Sequence, residues 1–275
     1  MLNTDEIMKL ALDMVGFEAI PADSEIYVPG DNIERILVGI DIGSAELVMA
    51  KEQGYDALIA HHPAGGRARL EGWKVFEKHI DQMREAGIPE KDAREAIQKK
   101  ISSLEIETHS VNYDHVPSVA RHLKIPFMNI HNPLDELGRR RIAEVMRERL
   151  LAEKDAVVAD LMDSIRAIPE FQRAFTEVKL RHGTLSNRAG RTVFSHAAYT
   201  NGGYEVARAY YRHGVDTVVY IHISEPDLAR LRADSVGNLI VTGHTASDSV
   251  GINPFLAELR KRGVQVDAIS GIVQA

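Results

Sequence analysis

The 275-residue chain contains no cysteine, which removes disulfides, thiolate nucleophiles and cysteine-based zinc sites together and agrees with a reducing cytoplasm. Any metal ion must therefore rest on histidine and carboxylate side chains. No segment approaches the roughly 20 consecutive apolar residues that a membrane-spanning helix needs. The opening MLNTDEIMKL lacks the basic-then-apolar order of a signal peptide, so the mature chain is expected to begin at Met1 and to be cytoplasmic, with no membrane partner. Surplus positive charge is missing too. The formal net charge is −7, and apart from a local run such as Arg139, Arg140 and Arg141 nothing suggests a broad basic surface, so nucleic acid is not an expected partner. Two signature classes are also absent. Neither G-x-x-x-x-G-K-[ST] nor G-x-G-x-x-G occurs, and without G-x-S-x-G the chain lacks the strand-to-helix serine elbow of a Ser-His-Asp hydrolase.

What is present suffices for a globular core: 44% of residues are hydrophobic and 27% charged, enough for one large or two small domains. Residues 4 to 17 read as a helix that Thr4 can cap, with Ile7, Met8, Leu10, Ala11 and Met14 on one face. ILVGID (36 to 41), a helix opened by Ser44 to about Glu52, and DALIAHH (56 to 62) form a β-α-β unit. Residues 71 to 100 read as two surface helices broken at Gly87 and Pro89, 104 to 114 as a strand running into a loop, and 117 to 123 as a helix. From about 133 to 180 charged helix formers dominate. Strands then alternate with helices again: TVFSH (192 to 196), helix 203 to 213, TVVYIH (217 to 222), helix 225 to 233, NLIVTGH (238 to 244), helix 253 to 262 and VDAIS (266 to 270). Short apolar strands separated by helices predict a layered α/β/α architecture with parallel or mixed sheets. A loose echo between 36 to 62 and 218 to 244 suggests two related α/β halves, formed by 1–132 and 186–275, with 133–185 as a helical connecting or peripheral segment.

Twelve histidines are present, and their positions matter more than their number. Predicted strands end at His61 with His62, His196, His222 and His244, and the segment holding His109 runs to Asp114. Ligands in open α/β sheets bind beyond the carboxyl ends of the strands, so a site is expected there, although any one such histidine is more often a hydrogen-bonded loop residue. Neighbouring side chains on a regular strand point opposite ways, so His61 and His62 suit two adjacent ions. In GHTASD, His244 and Asp248 stand four residues apart, one helical turn if a helix begins there; Asp248 and Asp114 can equally serve as helix caps. Three histidines and two carboxylates suit Zn, Fe, Mn or Co. One bridging carboxylate would let them hold two ions about 3.5 to 4 Å apart, the arrangement of many metal-dependent hydrolases.

With AHHP at 60 to 63, THSVNYD at 108 to 114 and GHTASD at 243 to 248, the chain resembles the Nif-three-like family (NGG-one-interacting factor three), whose bacterial members are often labelled GTP cyclohydrolase I type two homologues. The likeness extends through ILVGIDIGSAELVMAKEQGYDALIAHHP and covers roughly 30 to 130 and 190 to 275. It implies dinuclear divalent-metal ligation by His61, His62, Asp114, His244 and Asp248, with Asp248 where the family usually has Glu, and self-association from dimers into hexamers. VVYIHISEPD lacks the Gly-Glu and His-His of many members, and SHAAYTNGG replaces a shorter glycine-rich loop. Asp248, His222 and His196 are the candidate catalytic groups. The expected function is metal-dependent hydrolysis, of GTP or another nucleotide or phosphorylated small molecule, with the TNGG turn available to cradle a phosphate; a non-enzymatic metal-binding interaction scaffold is the alternative. An open coordination position beside a pocket, as against a closed buried site, separates the two.

Overall fold

The two apolar runs of the predicted β-α-β unit do pair in parallel, and the rest of the chain is arranged around that nucleus. In the computed structural model, which describes residues 1–197 and 201–275, the strands are β1 (Glu25–Val28), β2 (Arg35–Gly39), β3 (Ala57–Ala60), β4 (Phe127–Asn129), β5 (Lys179–His182), β6 (Thr192–Phe194), β7 (Thr217–Tyr220), β8 (Asn238–Val241) and β9 (Gln265–Ile269). They form a five-stranded sheet in the order β1-β4-β3-β2-β9 and a four-stranded sheet in the order β5-β8-β7-β6. Each sheet is parallel except for one antiparallel edge strand, β1 on the first and β5 on the second. The fold is mixed α/β, two sheets flanked by helices.

Apolar strand residues explain why both faces of each sheet are covered. Ile36, Val38 and Ile59 pack under the first helix (Thr4–Val15) and the helices Asn132–Ala152 and His244–Lys261, whereas Leu37, Leu58 and Ala60 face the helices Ser44–Glu52 and His115–Leu123. In the second sheet, Val218 and Leu239 pack against the helices Glu90–His109 and Gly203–Arg212. On its other face Val219 and Ile240 meet Ile142, Met146, Ala246 and Val250. The helices Asn132–Ala152 and His244–Lys261 thus belong to the cores of both sheets and form the layer between them.

That central pair is set by two glycines. A Cβ at Gly251 would stand 1.9 Å from the Leu134 carbonyl oxygen, and one at Gly138 would stand 3.1 Å from the Ser247 carbonyl oxygen and 3.2 Å from the Gly251 nitrogen. Close backbone approach of this kind is open only to glycine.

Several boundaries differ from expectation for identifiable reasons. The first helix is capped by Asn3, whose side chain accepts from Glu6 N in a capping box, while the Thr4 hydroxyl accepts from Gly30 N. Residues 104 to 109, expected as strand, continue the helix Glu90–His109. The alternation in LEIET was misleading, because Ile106 is exposed while Ala93, Ile97, Leu104 and Thr108 are buried at helical spacing. The last long helix starts at His244, not 253, and tolerates Pro254 inside it. Its polar start is stitched by Ser247 Oγ donating to Gly243 O at 2.6 Å and Ser249 Oγ to Thr245 O at 2.6 Å. The short strands β1, β4 and β5 carry no alternation long enough to read. Segment 133–185 contains the helices Val158–Arg166 and Pro169–Arg173, most of Asn132–Ala152, and also β5. No helix among the described residues is long and apolar enough to cross a membrane.

Candidate metal centre

The carboxyl ends of β3 and β4 lie side by side, so the residues that follow them enter the crevice beneath the central helix pair. The parallel ladder extends past β3, with His61 N donating to Gly39 O and His62 N to Ile40 O. His61 and His62 then leave the regular pleat, since β3 ends at Ala60. Both rings consequently turn to one carboxylate, with Nε2 at 3.9 Å (His61) and 3.6 Å (His62) from Asp248 Oδ2. Strand alternation had placed them apart. β4 is followed by Ile130 and His131, and the next helix brings Asp135 one turn further on. From the other sheet, β8 is followed by His244 and, one turn along its helix, Asp248. β6 is followed by His196.

Two buried carboxylates organise the cluster. Asp248 Oδ2 also lies 3.3 Å from His244 Nε2. Asp135 meets His61 Nε2 at 3.1 Å, His196 Nε2 at 3.3 Å and His131 Nε2 at 3.4 Å. His61 stands between the two carboxylates. On their outward side two rings are fixed by hydrogen bonds at Nδ1, His61 with Ile130 O at 3.1 Å and His62 with Asp41 Oδ1 at 2.8 Å, while His131 Nδ1 lies 2.9 Å from Asp23 Oδ2 as an ion pair without hydrogen-bond geometry. With the proton on Nδ1, each neutral ring directs its Nε2 lone pair inward at a carboxylate. Such a second layer is the usual way a protein orients metal-ligating imidazoles.

Lone pair facing anion is repulsive unless a proton or a cation lies between them. His61 Nε2, both Asp135 oxygens and Asp248 Oδ2 are buried without a hydrogen-bond partner among the described residues, so the donor set fits a divalent cation. Three overlapping groups bring their ligand atoms within 4.8 Å of one another: His61, His62 and His131; His62, His244 and Asp248; and His61, Asp135 and Asp248. Imidazole with carboxylate is a donor set for Zn, Mn, Fe or Co.

With protons alone to balance the charges, the site is strongly polarised. Burial would lower the pKa of His62, yet the nearby Asp248 and Asp41 carboxylates raise it to about 10. His196 is likewise raised, Asp135 overcoming burial. Burial would raise both aspartates, but the surrounding imidazoles hold Asp248 down and Asp135 well below the ordinary range. His244 is lowered because burial outweighs Asp248. His222 falls to about 4, through burial first and then the charges of His244 and His196. Its Nδ1 accepts from Asn201 Nδ2 at 2.6 Å, an amide orientation fixed by Asn201 Oδ1 taking the Gly203 N–H at 2.8 Å. Neutral His222 therefore carries its proton on Nε2.

The structure brings together His61, His62, His244 and Asp248 from the sequence-derived set, and does not bring Asp114 to them. Because 104 to 109 is helical, Asp114 falls in the turn before the helix His115–Leu123, where it is exposed and pairs with Arg121 at 2.5 Å. The cluster instead holds Asp135, with His131 beside it, at the start of the stretch dominated by charged helix formers. A signal existed. FMNIH is an apolar run ending in histidine, and His131-x-x-x-Asp135-x-x-Gly138 repeats the spacing of His244-x-x-x-Asp248-x-x-Gly251. The buried His196 touches Asp135, while His222 lines the cleft. In TNGG, Thr200 lies outside the described residues, as do Ala198 and Tyr199, and the Gly203 N–H that a phosphate would need is already bonded to Asn201.

A cleft of about 410 Å³ opens over the cluster, with Asp41, His62, His131, Asp135, His244 and Asp248 in its lining. The His244 side chain is 44% exposed and that of His62 23%, so the cluster has a solvent side. A larger groove of about 970 Å³ along the helix Asn132–Ala152 includes none of the clustered residues, and Glu136 and Glu144 neutralise its arginines 139 to 141.

The fold and the sequence are shared with known proteins. A NIF3 superfamily protein from Sphaerobacter thermophilus is 46% identical over 98% of each chain, with a TM-score of 0.96. Reduced HcgD from Methanocaldococcus jannaschii (10% identity, 97% of this chain and 98% of that one, TM-score 0.58) and TTHA1606 from Thermus thermophilus (14% identity, 98% of each, TM-score 0.51) share the fold alone. No curated protein matches the sequence. The description Duf34/NIF3 (NGG1p interacting factor 3) matches residues 26–272, and with that span and the 46% relative the chain belongs to the NIF3 family.

Proposed function

We propose that this chain is a metal-dependent hydrolase that binds two divalent ions, one beside Asp248 with His62 and His244, the other beside Asp135 with His131 and His61. The observation that carries the reading is a donor cluster buried on one side and open on the other. His61 is buried, Asp135 and Asp248 are buried at the floor of a 410 Å³ cleft, and His62 and His244 are partly exposed to it. A purely structural site would be closed on all sides.

Divalent ions bound there would supply Lewis-acid polarisation of a substrate oxygen and activation of water near neutral pH. The chain's own residues prepare the chemistry. Asp41 and the Ile130 carbonyl hold two imidazoles with Nε2 inward and Asp23 lies against a third, and Asp248 presents its Oδ2 beside His61, His62 and His244 as the atom that would hold an ion. His222 stays neutral at pH 7 and presents an Nε2–H donor at the cleft wall, suited to steady negative charge on a reacting group. His196 orients Asp135 from behind and is a positioning residue in this scheme.

Metal per chain, measured for the native protein and for His62→Ala and Asp248→Ala, tests the site, and a hydrolysis screen with GTP and simple phosphoesters tests the activity. We expect about two ions in the native protein and fewer in both variants. Unchanged stoichiometry in both variants would remove the proposed site. Bound metal with no turnover of any phosphoester would leave the interaction scaffold as the better reading.

A further inference from the structure

Beyond the ion cluster, the cleft has a second chemical feature: two cations, from two helices packed against each other, with no carboxylate partner. Arg69 and Lys100 both line it, and neither makes an ion pair or side-chain hydrogen bond among the described residues. Some nearby cations are paired, Lys74 with Glu71 and Arg94 with Glu90; what distinguishes Arg69 and Lys100 is that both line the cleft. Arg69 is held on a rigid base. Its short helix, Gly66–Glu71, is pinned by Glu25 Oε2 accepting from Ala68 N at 2.9 Å and by Gly66 N donating to Tyr113 O at 2.7 Å. Gly65 is pressed so closely that a Cβ there would stand 2.5 Å from Pro117 and from the Tyr113 carbonyl. Lys100 comes from the helix Glu90–His109, where Lys100, Leu104 and Glu107 share one face and all reach the cleft.

A side cavity of about 560 Å³ meets this cleft at Ile221, His222 and His244, the residues common to both linings. Ile223, Leu228, Val241 and the fully exposed ring of Phe175 give it an apolar part, with Glu177, Lys179, Arg181 and Glu225 also in its lining. The cleft thus carries two unpaired cations, Arg69 and Lys100, beside the carboxylates Asp41, Glu107, Asp135 and Asp248, which the bound ions would offset, and His222 lies at its junction with the side cavity.

We infer that the cleft binds an organic phosphomonoester, its phosphoryl group held by Arg69, Lys100 and the ion cluster and its uncharged organic part lying past His222 in the side cavity. The inference rests on the hydrolase reading above. A phosphoryl group suits these partners better than a carboxylate does, because it offers three acceptor oxygens and nearly two charges. A carboxylate offers one charge and two coplanar oxygens. Unpaired cations would leave an anion nothing to displace on entry, whereas a paired arginine would first have to give up its own carboxylate.

Calorimetric titration of inorganic phosphate and of phenyl phosphate into metal-loaded and metal-stripped protein tests this, with metal per chain measured on the same samples. In Arg69→Gln and Lys100→Gln, phosphate affinity should fall roughly tenfold each, the loss of one charge-assisted hydrogen bond, at unchanged metal content. Leu228→Trp, which fills the side cavity, should abolish the preference for phenyl phosphate while leaving inorganic phosphate unaffected. Wild-type affinity in both charge variants, or no phosphate binding by either form of the native protein, overturns the assignment; equal affinity for the two probes in the native protein overturns the side-cavity part. If metal fails to bind but phosphate binding still depends on Arg69 and Lys100, the metal reading falls and the anion site stands.

Discussion

Replacing Gly251 with alanine tests how the fold builds the site. A Cβ at 251 would stand 1.9 Å from the Leu134 carbonyl oxygen and 2.9 Å from the Gly138 nitrogen. Ordinary contact begins near 3.4 Å, so the two central helices must separate by about 1.5 Å. In an unobstructed helix interior the same substitution would stabilise by about 1 kcal/mol. Overpacking against backbone, which cannot rotate away, costs about 3 kcal/mol, leaving a net loss of about 2 kcal/mol. That corresponds to a fall in Tm of roughly 4 to 8 °C for a chain of this size class. Asp135 and Asp248 each lie one helical turn before the touching glycines, so the same separation moves the carboxylates apart. Metal sites tolerate only about ±0.2 Å in ligand distance, and the apparent metal affinity should drop at least tenfold. Thermal melting of the metal-stripped variant and a competition titration against a chromophoric chelator measure the two effects. Gly138→Ala, with contacts of 3.1 and 3.2 Å, should show both more weakly. A Gly251→Ala protein with native Tm and native metal affinity would refute the idea that this glycine contact sets the spacing of the carboxylates.

Three further outcomes are expected. Asp135→Asn should lose bound metal, whereas Asp114→Asn, removing only an exposed pair with Arg121, should keep full metal content and stay within about 0.5 kcal/mol of native stability; elemental analysis and melting curves of the two variants decide it, and the reverse pattern would restore Asp114 as a ligand. In metal-stripped protein the raised pKa of His62, about 10, gives stabilisation that is complete below its unfolded value near 6.5 and is lost as pH rises towards 10, while the lowered Asp135 and Asp248 give stabilisation lost on acidification through the carboxylate range. Since a divalent ion competes with that proton for His62 Nε2, metal affinity should climb with pH from about 6.5 to 10 and binding should release protons; a pH-independent affinity would contradict this. His222→Phe should reduce kcat about a hundredfold with unchanged metal content, and His222→Gln should recover part of the rate by restoring a donor; a variant with native kcat would remove His222 from the chemistry.

The sequence by itself determined the class of fold, because short apolar runs alternating with helical stretches leave little but a layered α/β arrangement. It also determined the most local half of the site. His61 with His62 follows a readable strand, and His244 with Asp248 sits at adjacent turns of one helix, so chain spacing alone carries the geometry. The tertiary structure decided the other half. β4 is only three residues long, too short for a period to show, so the strand before His131 was legible only from the run FMNIH and from the spacing His131, Asp135 and Gly138 shares with His244, Asp248 and Gly251. The helical continuation through 104 to 109 is enforced by burial of Leu104 and Thr108, and that packing carried Asp114 to the surface. Asp135 joined the cluster because Gly138 and Gly251 let two helices from distant parts of the chain touch, and such an approach depends on what lies opposite a glycine. His196 and His222 reached the crevice in the same way, through pairing of β6, β7 and β8 in one sheet. Spacing along the chain fixes neighbours within a turn or a strand; which turns and strands meet is fixed by the packing of the cores.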